Sequence, residues 1–402
     1  MTTAPSRPLL TREFVTLGVA AGLYFAAFGA INPVMPRFVR GELGGSDAAV
    51  GFVLGTFAIS AVVLRPLFGR IGDRRNLRSV VAMGGLFGAL SMVALLLASS
   101  LPLAVVARML LGASQAALMT GAVTLAVNLA PPERQGEASS YILVAFHLGL
   151  SLGPLVGEAI LEASSFTAVW WTVGGAMVAS SVVALGLPVR EPVAVPAGGT
   201  PRRLFYAPSV RPGIAMGLGI LGFSGFQTFL VLFADQIGMK RAAPVLVVSS
   251  VTIVAVRLFG SRVPDRLGPV RGGQLALGLM AGGLFLVAGW QEPAGLYLGT
   301  LVGAIGSALL FPSLIPAAVA GVEEHQRGSA MATFTMFIDV GAGVGAPLFG
   351  VVASLSSYGG AFVTGGVCCL LTVVYLRVVL TGHLAAKLPQ AGVVIDPAVD
   401  SA

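Results

Sequence analysis

Few residues in this 402-residue chain can do chemistry, and those that can stand in unusual company. Asp339 lies inside the apolar run TFTMFIDVGAGVG, and His147 inside another, AFHLGLSLGPLVGE. Arg108, in ARMLLGASQAA, is a third ionisable group set among leucine and alanine. A carboxylate, an imidazole and a guanidinium in such settings are costly unless paired, neutralised or facing water. Groups kept there at that cost are suited to carrying protons or holding charged solutes. The chain has no phosphate-cradling glycine loop, no metal-ligand cluster and no nucleophile–base pair, so it reads as a non-enzyme. Cys368 and Cys369 are adjacent in an apolar run and read as small packing residues, with no metal or disulfide implied.

The elements that must position these groups follow from composition. The chain is 56% hydrophobic and only 10% charged, with a mean hydropathy of +0.91. A soluble domain carries roughly a quarter charged residues. Its 54 glycines fit transmembrane helices, which tolerate glycine better than soluble ones do. Apolar segments fall at about 13–38, 47–69, 78–99, 102–130, 138–161 and 166–188. A second set falls at about 208–235, 242–263, 271–290, 293–320, 328–354 and 360–381. Each approaches the roughly 20 residues that cross about 30 Å of hydrocarbon. The pattern predicts an all-α polytopic membrane protein with 12 transmembrane helices. The first run is too long for a signal peptide and reads as an uncleaved span.

Between the sets lies VREPVAVPAGGTPRRLFYAPSVRP, a Pro-, Gly- and Arg-rich linker. The predicted organisation is a first six-helix bundle over 1–189, a cytoplasmic linker over 190–207, and a second bundle with a short tail over 208–402. The formal charge of +7 does not point to nucleic acid, because the basic residues sit in short clusters between apolar runs. Only Arg37, Arg40, Lys240 and Arg241 fall in loops on one side, and most of the others fall on the opposite side. That bias places both termini in the cytoplasm.

The two sets are related. LRPLFGRIGDR at 64–74 aligns on VRLFGSRVPDR at 256–266, an offset of 192 that carries Arg65 to Arg257 and Asp73 to Asp265. The same offset carries ERQGEA to HQRGSA, FHLGLSLGPLVG to IDVGAGVGAPLFG with one insertion, and His147 to Asp339. Such a six-plus-six duplication builds a site between two pseudo-symmetric halves. At about 1.5 Å per residue, His147 and Asp339 lie roughly 14 and 16 Å into their spans, and Glu158 roughly 30 Å, at the headgroups. Glu158 therefore reads as a helix-end charge. Arg65 and Arg257, about a turn from helix ends, read as snorkelling residues. Asp339 reads as a group that carries a coupled proton, binds a cationic substrate or does both in alternation, or else as a structural group salt-bridged to Arg108 or hydrogen-bonded for packing.

These motifs resemble the major facilitator superfamily along essentially the whole chain. GRIGDRRNLR at 69–78 is similar to that family's gating loop: Gly69, Asp73, Arg74 and Arg78 match, while Asn76 and Leu77 depart from it. Asp265 and Arg266 are the second-half equivalents. The loop's charges are expected to pair across the gap between halves, with Asn76 in a left-handed turn. Arg108 and Gly112 resemble the Arg-x-x-x-Gly pattern of proton-driven members. Gly149, Gly153, Pro154 and Gly157 resemble the antiporter motif, with Glu158 in place of its last glycine, and suggest a kinked helix packed between halves. The RP-x-x-GR run of the second span and Asp339 followed by alternating glycines resemble sugar-efflux-permease-like sequences within the superfamily, a sequence neighbourhood and not a substrate.

The resemblance implies proton-coupled antiport that exports small hydrophobic or amphipathic compounds, with Asp339, Arg108 and His147 in the coupling path. It implies no cofactor beyond the proton gradient. It also implies a monomer in a bacterial cytoplasmic membrane, meeting lipid and a small-molecule substrate. Phe28, Asn32, Phe226, Gln227 and Phe337 are candidate substrate contacts, since aromatics with few polar groups suit apolar ligands. The alternatives are a proton symporter or facilitator importing a metabolite, and a receptor or scaffold without transport.

Overall fold

The computed structural model describes residues 11–74, 76–131, 134–188, 206–260, 262–320, 322 and 327–380, and all regular structure among them is helical. The first half holds α1 (Arg12–Gly41), α2 (Asp47–Arg74), α3 (Leu77–Leu96), α4 (Leu101–Leu129), α5 (Gln135–Ala163) and α6 (Phe166–Leu185). The second holds α7 (Val210–Gln236), α8 (Ala243–Phe259), α9 (Arg262–Gly289), α10 (Pro293–Val319), α11 (Arg327–Leu355) and α12 (Tyr358–Tyr375). Among the described residues, eleven helices are long and apolar enough to cross a bilayer. The other, α8, is apolar but has 17 residues, a rise of about 26 Å. Short connections make successive helices alternate in direction within each half, and the contact of Arg37 with Asp235 sets the end of α7 beside the end of α1. The side where α1 begins is the entry face, and the side where it ends is the far face. The expected linker lies almost wholly outside the described residues.

Local sequence explains the helix starts. Ser165 and Ser357, again 192 apart, stand before α6 and α12, and each hydroxyl accepts from the backbone N–H three residues on, at 3.3 and 3.0 Å. These bonds satisfy N–H groups that a helix cannot bond internally. Asn76 caps α3 by accepting from Arg78 N at 3.0 Å, with φ −141° and ψ 126°. That is extended backbone, so the left-handed turn expected there does not form. The gating stretch is also less of a loop than its sequence suggests, because α2 stays helical to Arg74. Its equivalent begins α9 at Arg262 and breaks at Gly268, where φ is +73° and Pro269 follows. Glycine tolerates that φ, and proline disfavours helical backbone before it.

Packing repeats with a shift of six helices. In the first half α1 lies on α5 and α6, α3 on α4 and α6, and α2 on α4. In the second, α7 lies on α11 and α12, α9 on α10 and α12, and α8 on α10. The halves meet along two seams that the same shift interchanges, α2 on α11 and α5 on α8, and α7 also touches α1. The chain is thus two pseudo-symmetric bundles. Helices in lipid associate by close van der Waals packing of small residues, and the α2/α11 seam shows it. A Cβ on Gly55 would lie 2.7 Å from Pro347 Cδ, and one on Gly343 would lie 2.8 Å from Ala58 Cβ.

Candidate functional site

On the entry-face side of the close glycine contacts between α2 and α11, Arg65 reaches across the seam. Its Nη1 donates to Asp339 Oδ2 at 2.7 Å, and its Nη2 lies 3.5 Å from Gln115 Oε1 on α4. Asp339 is about 18 Å into α11, and Arg65 is about 14 Å from the entry end of α2. The pair is therefore mid-span, and it joins the halves. This corrects two expectations. Arg65 does not snorkel outward, because a carboxylate from the other half is nearer than the headgroups, and a low-dielectric setting strengthens that attraction. Asp339, in turn, pairs with Arg65 and not with Arg108.

Arg108 is only 9% exposed, one helix turn and more below the far face. Its guanidinium stands 5.2 Å from the centre of the Phe57 ring, Nη2 is 3.4 Å from Leu54 O, and Nε has no partner. It meets no carboxylate among the described residues. A cation–π contact and one long hydrogen bond compensate a buried charge only in part. His147 belongs to the α5 backbone, but its side chain lies outside the described residues, as do those of Asp73, Arg74 and Asp265.

Of the remaining gating residues, Gly69 is half-buried and Arg266 exposed. Arg78 does not reach across the halves. Its Nη1 donates to Leu185 O and Leu187 O, at 3.2 and 3.4 Å, at the end of α6 in its own half. A cation is favoured at a helix C-terminus, where carbonyls are unpaired.

The antiporter-like glycines also act inside one half. A Cβ on Gly149 would overlap the backbone of Phe25. One on Gly153 would stand 2.7 Å from Ala30 N, and one on Gly157 would overlap Ala30 O. They set α5 against α1, which corrects their expected place between the halves; Pro154 stands buried inside the same helix. Gly341 repeats the device at offset 192, pressing α11 onto Gly217 of α7.

The candidate substrate contacts divide. Exposed positions on α1 (Val15, Val19, Ala26) end just before Phe28, and every residue from Ala27 to Val39 is buried or half-buried. Phe28 is half-buried between Tyr24 and Phe57, with centroids 6.2 and 5.5 Å away, and Asn32 is half-buried one turn deeper. Tyr24 itself is fully buried and shares a 2.7 Å hydrogen bond with Ser114. Gln227 is exposed on α7. Phe226 is not at a wall: it is 1% exposed and packs edge-on to Phe362 inside the second half. Phe337 is half-buried and covers Gly213 of α7.

At the far face the structure shows polar contacts that the sequence reading missed. Arg37 on α1 donates to both oxygens of Asp235 on α7, at 2.8 and 2.5 Å, and to Glu158 Oε1 at 2.9 Å. Glu158 is 2% exposed and accepts from Ala242 N and Ala243 N, at 2.9 and 2.8 Å, at the start of α8. It is therefore not a solvated helix-end charge: it satisfies unpaired N–H groups of the opposite half and meets the positive end of the α8 dipole. Arg241 pairs with Glu162 at 2.6 Å, Tyr358 donates to Asp47 at 2.9 Å, and Ala48 N donates to Ser354 Oγ at 2.8 Å. Arg40 also pairs with Asp47. Each of the first three contacts joins one half to the other, so this face is shut. A hint existed in the placement of Glu158 and Asp235 at helix ends beside the few far-side arginines.

Comparison with known proteins agrees with this architecture. The family profile described as Major Facilitator Superfamily matches residues 17–295 and 245–394. An uncharacterised MFS-type transporter of Salmonella typhimurium is 26% identical over 94% of this chain and 100% of its own length. One from Burkholderia mallei is 27% identical over 91% and 93%. Among solved structures, the nucleoside transporter NupG superposes with a TM-score of 0.76 at 15% identity, covering 93% of this chain and 99% of that one. A bacterial homologue of the human lysosomal transporter Spinster, inward-facing and unoccupied, gives 0.71 at 16%, covering 98% and 100%. The mirrored helical halves, the inter-half ion pair and these matches lead to one conclusion: the chain belongs to the Major Facilitator Superfamily, as a multi-pass membrane transporter and not an enzyme.

Proposed function

We propose that the protein is a proton-coupled antiporter that exports small hydrophobic or amphipathic compounds by alternating access. In this reading both termini are in the cytoplasm of a bacterial cell, the far face is extracytoplasmic, and the chain works as a monomer. The observation that carries the reading is the Arg65–Asp339 pair at mid-span on the α2/α11 seam. A carboxylate there exchanges partners at a seam that must slide when the halves rock. Proton uptake by Asp339 would remove the attraction to Arg65 and loosen the seam, and a cationic substrate would compete for the same carboxylate. Arg108 and His147 are proposed to lie along the same path. The gradient supplies the energy, with no cofactor required.

The test uses inside-out vesicles acidified within, a pH-sensitive dye and a panel of amphipathic compounds, with Asp339→Asn alongside. Alkalinisation that depends on the compound and is lost in the variant supports the reading. Labelled solute crossing without proton movement overturns antiport in favour of facilitated import.

A further inference from the structure

We infer that the α2/α11 seam is a lateral port through which amphipathic organic cations reach Asp339 directly from the hydrocarbon of the bilayer, only their charged head being bound. This rests on the export reading above, takes from it the cation that competes for Asp339, and adds the route of entry and the binding of the charged head alone.

Two apolar stripes frame the port. On α11, Val340, Val344, Leu348, Val351 and Leu355 are all exposed, at spacings of three and four that mark one helix face. The stripe runs to the far-face end of α11, where the halves are shut, so it faces lipid and not an aqueous passage. On α2, Phe52, Ile59, Val63 and Leu67 form a matching exposed stripe. Between them lies a crevice of about 230 Å³ lined by Ala58, Ile59, Val62, Val63, Val340, Val344 and Gly343, with Asp339 as its one charged lining residue.

Three features select the ligand. First, the volume is below the roughly 300–1,000 Å³ of sites that enclose a drug-sized molecule, so a head group enters and the apolar body stays in lipid. Second, Asp339 Oδ2 takes a bond from Arg65, and Oδ1 accepts none among the described residues. One oxygen is therefore available to a second cation, whereas the Arg65 guanidinium does not line the crevice. An anion would meet only a carboxylate. Third, the Asp339 side chain keeps 22% of its exposure at a seam rimmed by lipid-facing valine. An ionised group so placed is stabilised by a polar occupant of the crevice. An ammonium head with an apolar tail supplies that occupant and matches the valine walls as well.

The experiment uses the full chain in phosphatidylcholine nanodiscs with radiolabelled dodecyltrimethylammonium, and tetramethylammonium as the same head without a tail. The long-chain probe should bind wild type, and the short one at least about tenfold more weakly at equal aqueous concentration. Val63→Trp and Val344→Trp narrow the crevice and should each weaken long-chain binding at least about tenfold. Val351→Trp, on the same stripe outside the crevice, should leave binding and thermal unfolding unchanged, which separates plugging from damage to the fold. Asp339→Asn should abolish binding. Crevice-narrowed variants that bind like wild type overturn the port even if compound-driven proton exchange persists. Retained binding in Asp339→Asn overturns the carboxylate's role. Binding that follows this pattern in a protein that moves no protons supports the port and sinks antiport instead.

Discussion

The two seams between the halves are related by pseudo-symmetry, yet they place their charges at different depths. On α2/α11 the ion pair Arg65–Asp339 stands at mid-span. On α5/α8 the acidic groups Glu158 and Glu162 stand at the far face, where they hold the α8 N-terminus and Arg241. The repeat would place His147 and Arg257 opposite each other where the first seam has Asp339 and Arg65. Of these two equivalent positions, only 339 carries a carboxylate. Depth sets what a charge does. At mid-span an ion pair has little water to replace its partner, so it is coupled to whatever cation or proton arrives. At the face, water competes, and the contacts act as a latch that opens and closes with the halves.

The largest expected effect breaks the mid-span side of this comparison. Asp339→Asn leaves Arg65 without its counter-charge. It should lower stability by about 2–3 kcal/mol, below the cost for a fully enclosed pair because both side chains keep some access. Compound-driven proton flux should fall at least a hundredfold, to the level of protein-free vesicles. Combining it with Arg65→Met should restore the unfolding temperature in detergent but not the flux. Recovery of flux in the double variant would make the pair a structural strut.

Next comes a change that tests whether the antiporter-like glycines serve either seam. Gly153→Val puts methyl groups into the α1 backbone at Ala26 and Ala30, and should cost about 1–3 kcal/mol. Thermal unfolding and expression would fall together. Gly175→Ala, in open space on α6, should leave both unchanged. Normal stability in Gly153→Val would refute the close α1/α5 contact.

Glu158→Gln keeps an acceptor for the α8 N–H groups but removes the charge that faces Arg37 and the helix dipole. The expected cost to the far-face latch is about 1–2 kcal/mol. Disulfide formation between cysteines at positions 48 and 354, whose parent residues touch across the latch, should drop severalfold. An unchanged yield would return Glu158 to a passive helix-end role. The smallest effect belongs to the exposed Arg241–Glu162 pair: Glu162→Gln should change neither cross-linking nor unfolding measurably, and a loss would mean the α5/α8 seam is held by its surface charges.

Much of the fold was legible before any coordinate. The apolar runs, the offset of 192 and the Pro- and Gly-rich break between the sets predicted the paired bundles, because the bilayer requires long apolar helices that satisfy their own backbones. Helix ends were less legible: α2 runs to Arg74 because charged residues continue a helix past the hydrocarbon. The site was legible only as far as depth along a helix could be read. Asp339 was found that way. Arg65 was misread, since depth says nothing about which neighbour faces a side chain, and Glu158 was misread for the same reason.

The sequence by itself determined that this is a duplicated, membrane-spanning helical protein, since hydropathy, spacing and loop charge are one-dimensional quantities that the bilayer reads directly. Only the tertiary structure decided which charges meet. It paired Arg65 with Asp339 across 274 positions of sequence, set Glu158 on another half's helix end, and turned the GxxxG glycines toward α1. The physical reason is that a buried charge is stabilised by its neighbours in space, and those are fixed by how the helices of two bundles lie against one another.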